Sequence, residues 1–367
     1  MNKFTIPVYR PALHGNEKKY VDECLDSTWI SSKGKYVQKF EDNFAKYTGV
    51  KYAVSVCNGT VALHTALLAL DIGPGDEVIV PTLTYIASVN SITYTGATPV
   101  FVDSLKDTWQ VDPEDVLRKI SSRTKAILAV HLYGHPCDLY QLGQIAKKNH
   151  LFLIEDCAEA IGSLYKGKHV GNFGNIATFS FFGNKTITTG EGGMVTTNNK
   201  ILAAKTSHLK GQGLAKNREY WHDIIGYNYR MTNICAAIGL AQLEQINKLI
   251  AKKIKIAHWY IQGLRGTPAI VQPETGPVRH SYWMVSILVD KPSQRNLLRQ
   301  ALAKAGIETR PLFYPIHMMP MYRAKRFPVA EDLNQRGITL PSFPDLTHRD
   351  VQKICAVIKG FFNAKNC

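Results

Sequence analysis

Lys185 stands in a polar turn between two apolar runs, within Asn175-Ile-Ala-Thr-Phe-Ser-Phe-Phe-Gly-Asn-Lys-Thr-Ile-Thr-Thr-Gly-Glu-Gly-Gly-Met194. The first run, Ile176 to Phe182, reads as a strand; Gly190, Gly192 and Gly193 reverse the chain into a second, Met194 to Thr197. A lone lysine in a turn is most often a solvated charge. Between two buried strands its ammonium is held near the interior, where burial lowers the pKa and makes the amine a nucleophile. The natural chemistry of such an amine is a Schiff base with a carbonyl compound, above all pyridoxal phosphate.

Other residues suit the same cofactor. Asp156 closes the apolar run Leu151 to Asp156, where a carboxylate is costly unless a cation meets it. It either caps a helix opening at Ala158-Glu-Ala160 or pairs with a pyridinium nitrogen, keeping the ring an electron sink. Asn58-Gly59-Thr60 opens a helix directly behind a buried strand. Its free N–H groups make a phosphate cradle, or simply an N-cap. Ser180, five residues before Lys185, offers a hydroxyl to that phosphate. Tyr85 follows a strand and can stack on a flat ring, and Glu159 can hydrogen-bond a phenolic oxygen. His131, His135, His208, His280 and His317 show no metal-ligand spacing, so no metal is expected. Gly211-Gln-Gly213 lacks the third glycine of a dinucleotide fingerprint and no Walker A motif occurs.

The elements that must position these residues alternate. Strands are predicted at 52–56, 77–81, 99–103, 124–132 and 151–156, with helices at 61–70, 85–94, from Pro113 behind the cap Asp112, and at 139–148. Two helices precede them, Asn16 to Leu25 and Phe40 to Tyr47, the latter stopped by Gly49. This alternation means an α/β fold with a mostly parallel sheet, whose ligands bind beyond the carboxyl ends of the strands. A helical segment from Asn233 to Lys255 leads into a smaller α+β part with strands at 281–289 and 309–313 and helices at 294–305 and 350–363. The expected division is a large domain over residues 1–250, including an N-terminal arm, and a small one over 251–367.

The 367 residues carry a formal charge of +15, with 45% apolar and 20% charged residues, an ordinary globular balance. The basic residues are scattered, and the runs Lys252 to Lys255 and Arg323 to Arg326 are short, so an anionic small substrate fits better than nucleic acid. No run is long and apolar enough to span a bilayer. The opening Met1 to Tyr9 lacks a signal peptide's apolar run, and seven cysteines without a Cys-x-x-Cys argue for a reduced, cytoplasmic protein.

Six segments in order also carry a family resemblance: Asn58 to Leu63, Gly73 to Tyr85, Glu155 to Ala160, Phe179 to Lys185, Thr188 to Gly193 and Gly226 to Met231. The chain resembles the fold-type I pyridoxal phosphate enzymes of the DegT/StrS sugar-aminotransferase family from Pro7 to about Pro344. That resemblance implies a large domain plus a smaller C-terminal α+β domain, and a homodimer with its active site at the subunit interface. It implies that Lys185 anchors the cofactor and acts as acid and base, that Asp156 binds its ring nitrogen, and that Tyr85 packs on the ring. It assigns the phosphate to Gly59, Thr60 and Ser180, with Asn228 reaching the neighbouring subunit's cofactor. Arg230 and His317 fall on the sugar side. Glu159 stands where many relatives carry glutamine, which puts its own contact with the cofactor in question. Within the family, Ile6 to Leu13 and Leu209 to Gly213 resemble members that use L-glutamate to aminate GDP-4-keto-6-deoxymannose for surface polysaccharide (O-antigen). Members acting on UDP- or dTDP-linked ketosugars share the same motifs. Sugar dehydratases of this fold carry histidine in place of Lys185, which argues against that chemistry. A pyridoxal phosphate-binding regulator without turnover is the alternative from another class.

Overall fold

Alternation of apolar side chains sends each central strand to two cores at once. In the computed structural model, which describes residues 4–364, the strands are β1 (Tyr52–Val56), β2 (Glu77–Pro81), β3 (Thr98–Val102), β4 (Thr124–Val130) and β5 (Phe152–Asp156). The short β6 (Leu164–Tyr165) and β7 (Lys168–His169) precede β8 (Ile176–Ser180) and β9 (Gly193–Thr197). Val78, Val80, Ala126 and Leu128 pack into one core, while Ile79, Ile127 and Ala129 pack into the other. A sheet buried on both faces is the reason these strands read as continuous apolar runs.

The seven-stranded sheet has the order β1-β9-β8-β5-β4-β2-β3. Only β9 runs antiparallel to its neighbours, β1 and β8. The other pairs are parallel, as the β-α-β alternation requires. Helix starts follow their caps: Asn58 accepts from Val61 N, Asp112 from Glu114 N and Asp138 from Gln141 N. The helix Lys35–Thr48 begins five residues before the predicted Phe40 but ends, as expected, on left-handed Gly49. Its Phe40 and Phe44 close on Phe179 and Phe181 at 5.0–5.4 Å between ring centroids, bracing β8 just before the lysine turn.

Two expectations differ from the structure in ways that matter for the site. Residues 158–160 form a turn rather than a helix, because the Asp156 carboxylate folds back onto Ala158 N at 3.0 Å. The predicted helix over 233–255 is two helices, Asn233–Glu244 and Ile246–Gly263, broken at Gln245. The second of these spans the expected boundary at residue 250.

Beyond it lie β10 (Ile270–Val271), β11 (Val278–Arg279), β12 (Val285–Leu288), β13 (Arg310–Pro311) and β14 (Gly337–Leu340). They form a four-stranded sheet in the order β10-β12-β14-β13, while β11 reaches back to join β6 and β7. Val285, Ile287, Ile338 and Leu340 build a third core with the helix His348–Asn363. The N-terminal arm bridges to this part through the parallel pair Ile6 and Ile307. No helix among the described residues is long and apolar enough to cross a membrane.

Candidate active site

The carboxyl ends of β2, β4, β5 and β8 open on a cavity of about 360 Å³, lined by Gly59, Thr60, Tyr85, Asp156, Glu159, Ser180 and Lys185. Seven of the ten expected site residues are therefore brought to one wall-to-wall space. Lys185 follows β8 in a turn closed by its own N–H, which donates to Phe182 O at 2.9 Å. Its side chain is 13% exposed. Nζ lies 3.8 Å from Glu159 Oε1 and 4.0 Å from the centroid of the Trp283 ring. Burial lowers the lysine's pKa, against the opposing pull of Glu159 and Asp156.

Glu159 shows the complementary shift. Burial raises its pKa to about 7, opposed by the Lys185 charge and by the hydrogen bond from Tyr133 N at 2.7 Å, while Asp156 raises it further. A low-dielectric cavity penalises both charged forms, lowering the ammonium's pKa and raising the carboxyl's. The residue donating to it, Tyr133, sits in the left-handed region at φ 58°. That strain, of order 1–3 kcal/mol, is met by the Glu159 bond and by stacking on Trp283 and Phe313.

Asp156 is 4% exposed at the end of β5. Its Oδ2 accepts from Ser88 Oγ at 2.8 Å, and Ser88 Oγ lies 2.9 Å from Thr84 Oγ1. Among the described residues, its hydrogen bonds come from neutral donors, Ser88 Oγ and Ala158 N. A buried carboxylate without a cation is costly, and here it borders the cavity that holds Lys185. At the opposite end, the helix Gly59–Ala69 begins against Ser180. A Cβ at Gly59 would stand 2.7 Å from Ser180 Cβ, and one at Gly193 2.4 Å from Asn58 O, so both glycines permit the close approach. The N–H groups of Gly59 and Thr60 have no acceptor within their helix and remain for an anion.

These features fit pyridoxal phosphate. Gly59, Thr60 and Ser180 would hold its phosphate, Asp156 its ring nitrogen and Lys185 its aldehyde carbon, with Tyr85, 57% exposed and 5.6 Å from Phe313, at the rim.

Three expected residues lie elsewhere. Asn228 and Arg230 are joined to each other at 2.9 Å and do not border this chain's cavity. His317 is 4% exposed behind the wall, its Nδ1 2.7 Å from Thr82 Oγ1 and its Nε2 3.3 Å from Glu331. With both nitrogens engaged it braces the end of β2. Sequence reasoning missed Ser88, Trp283, Phe313 and Tyr133. Only Ser88 carried a local signal, one helical turn past Tyr85.

Among the described residues, His131, Glu155 and Cys157 are the one group close enough to hold a metal, their ligand atoms all within 4.8 Å. Cys137 N donates to His131 Nδ1, so Nε2 carries the proton and donates to Glu155 at 3.2 Å. Burial pushes the Glu155 carboxyl up. His131 and the N–H groups of Gly171, Phe173 and Gly174 outweigh it and hold the carboxyl below its usual range. The cluster pins the loop that leads into β8.

The Glu159 to Lys185 contact makes a prediction. At 4 Å and an effective dielectric constant near 20, two unit charges interact by about 4 kcal/mol, roughly three pKa units as a ceiling. Glu159 is about half protonated near pH 7, so a shift of about one unit is expected. Glu159→Gln keeps an acceptor for Tyr133 N and removes the anion that favours the ammonium. The pH midpoint for covalent capture of pyridoxal phosphate by the apoprotein should fall by about one unit. An unmoved midpoint would show that Glu159 does not set the lysine.

Known proteins resemble this chain over nearly its whole length. The model of the DegT/DnrJ/EryC1/StrS aminotransferase family matches residues 11–359. Proteins named GDP-perosamine synthase from Escherichia coli O157:H7 and Vibrio cholerae are 62% and 52% identical to this chain, covering 98% of it and 99% of each relative. Among solved structures, Helicobacter pylori PseC, an aminotransferase involved in pseudaminic acid biosynthesis, is similar with a TM-score of 0.93 at 28% identity, over 98% of this chain and 99% of that one. Spr1654 from Streptococcus pneumoniae, solved in a PLP form, gives 0.94 at 31% identity over 98% and 99%.

Proposed function

Because the chain belongs to the DegT/DnrJ/EryC1/StrS aminotransferase family and is a pyridoxal phosphate-dependent aminotransferase, we propose that it moves the amino group of L-glutamate to the 4-keto carbon of GDP-4-keto-6-deoxymannose. The products are GDP-perosamine and 2-oxoglutarate, and the use is surface polysaccharide, the O-antigen. The observation that carries the choice of acceptor is the 62% identity with a GDP-perosamine synthase across almost the whole of both chains.

In this reading each side chain has one task. Bound pyridoxal phosphate supplies the electron sink that stabilises negative charge on the carbon losing its proton. Lys185 Nζ would hold the cofactor between turnovers and, when free, would take the proton from the amino acid's α-carbon. In the second half-reaction the same Nζ delivers a proton to the sugar carbon. Asp156, held in place by the two donors Ser88 and Ala158 N, would pair with the ring nitrogen and keep it protonated. Glu159, poised near neutrality, tunes how readily Nζ gives up its proton. Tyr85, at the rim, covers the ring.

Asn228 and Arg230 do not border their own chain's cavity, which supports a homodimer in which they serve the partner's site. A fully active monomer in sedimentation would overturn that. The six cysteines among the described residues are all free, in keeping with a cytoplasmic setting.

The test is spectral and in two stages. Glutamate should bleach the visible band of the loaded enzyme, and after its removal only the GDP-linked 4-ketosugar should restore it. Recovery with a UDP- or dTDP-linked ketosugar would replace the acceptor. Failure to bleach would remove glutamate as the donor.

A further inference from the structure

The backbone on both sides of Lys185 is held by side chains from two distant segments. Asn184 O accepts from Trp283 Nε1 at 2.7 Å, and Lys185 O accepts from Tyr9 Oη at 2.5 Å. With Lys185 N donating to Phe182 O, the peptide planes before and after the residue are both pinned. The backbone at Lys185 is thereby held, and Nζ sits between Glu159 and the Trp283 face. Neither support is local in sequence: Tyr9 is 176 residues from Lys185, and Trp283 is 99 residues from Asn184.

A second buried lysine ties these two supports together. Lys253, in the helix Ile246–Gly263, is 0% exposed and hydrogen-bonds to neutral oxygens. Nζ donates to Trp283 O at 2.7 Å, to Ser342 Oγ at 2.8 Å and to Ser342 O, and it lies 5.3 Å from the Tyr9 ring centroid. Ser342 N in turn donates to Val8 O, and Val8 N to Glu308, which fastens the arm carrying Tyr9. Burying an ammonium costs several kcal/mol unless its donors are satisfied. Three acceptors placed around one such group mark it as a fastening, and burial lowers its pKa in keeping with that setting.

We propose that Tyr9 and Trp283 are positioning residues for Lys185, with Lys253 locking both to the arm and to the β12–β14 side of the molecule. The reactive amine is thereby oriented by the N-terminal arm and the second sheet as much as by the strand that carries it. Fixing a reacting group in one geometry is worth a large part of a rate enhancement, and small misplacements cost one to two orders of magnitude. This inference rests on the role given to Lys185 above.

Tyr9→Phe tests it with the least disturbance, since only the hydroxyl is removed. Two measurements are made on it: the rate at which apoprotein captures added pyridoxal phosphate, trapped by borohydride and mapped to Lys185, and the glutamate half-reaction of the loaded enzyme. Both rates should fall about tenfold while the glutamate KM stays within twofold. Trp283→Phe, which keeps an aromatic ring and loses the N–H donor, should act in the same direction. Ile358→Val, in the core of the helix His348–Asn363, is the control that lowers Tm without touching the network. If Tyr9→Phe lowers Tm like the control and leaves the capture rate unchanged, the contact is merely structural and the proposal is overturned. If borohydride traps a different lysine in the wild-type protein, the role of Lys185 itself fails, and the two failures are thereby separable.

Discussion

Lys185→Ala yields a folded protein whose turnover falls on the order of 10⁴-fold or more. Two contributions vanish together, the covalent anchor and the acid–base group, and proton transfer by a positioned side chain alone is worth about 10²–10⁴. The fold should not suffer. The lysine is buried with a lowered pKa, so the folded state bears a cost to hold its charge, and removing it relieves that cost. Tm should be unchanged or higher. Pyridoxal phosphate should still bind through Gly59, Thr60, Ser180 and Asp156, but dialysis should remove it and borohydride should leave no adduct. Small added amines should restore part of the proton transfer. Turnover near the wild-type rate would end the assignment of Lys185.

Asp156→Asn should lower kcat/KM by about 10²–10³ in both half-reactions, a loss of about 3–4 kcal/mol of transition-state stabilisation. Asparagine keeps the size of the side chain and an oxygen for Ala158 N, while Ser88 can turn its hydroxyl to accept from the new amide. What disappears is the charge that keeps the ring nitrogen protonated. The same charge raises the pKa of Glu159 and of Lys185, so both should titrate lower in the variant. The sign is the same for both groups, because losing an anion favours the carboxylate and disfavours the ammonium. A stopped-flow measurement of each half-reaction across pH separates the loss of rate from the shift of profile. A rate within threefold of wild type at its own optimum would show that Asp156 is only a turn-former.

Much of this machinery was legible before folding. The spans Tyr52–Val56, Glu77–Pro81 and Leu139–Lys148 match their predicted bounds, since apolar runs, caps and glycine stops are local signals. Gly59, Thr60 and Asp156 could be singled out because they stand where strands end, and Lys185 because it sits in a polar turn between two apolar strands; the fold brings them and Ser180 to one cavity. What failed locally failed for a tertiary reason. The turn at 158–160 replaced a helix because the carboxylate of Asp156 took up the N–H of Ala158 and was held from behind by Ser88, a residue of another helix.

The sequence alone determined the order of strands and helices, the lysine turn, the helix start at Asn58 to Thr60 and the class of chemistry, because those depend on residue type and short spacing. Only the tertiary structure decided that Trp283 lies under Nζ, that Tyr9 and Trp283 hold the carbonyls flanking it, and that Lys253 fastens both. It also decided that His317 is spent bracing Thr82 while Asn228 and Arg230 do not border their own chain's cavity. Contacts across 99 and 176 residues leave no periodic trace in the chain. They exist because the second sheet and the arm pack against the open end of the first, and that packing brings their polar side chains to the reactive lysine.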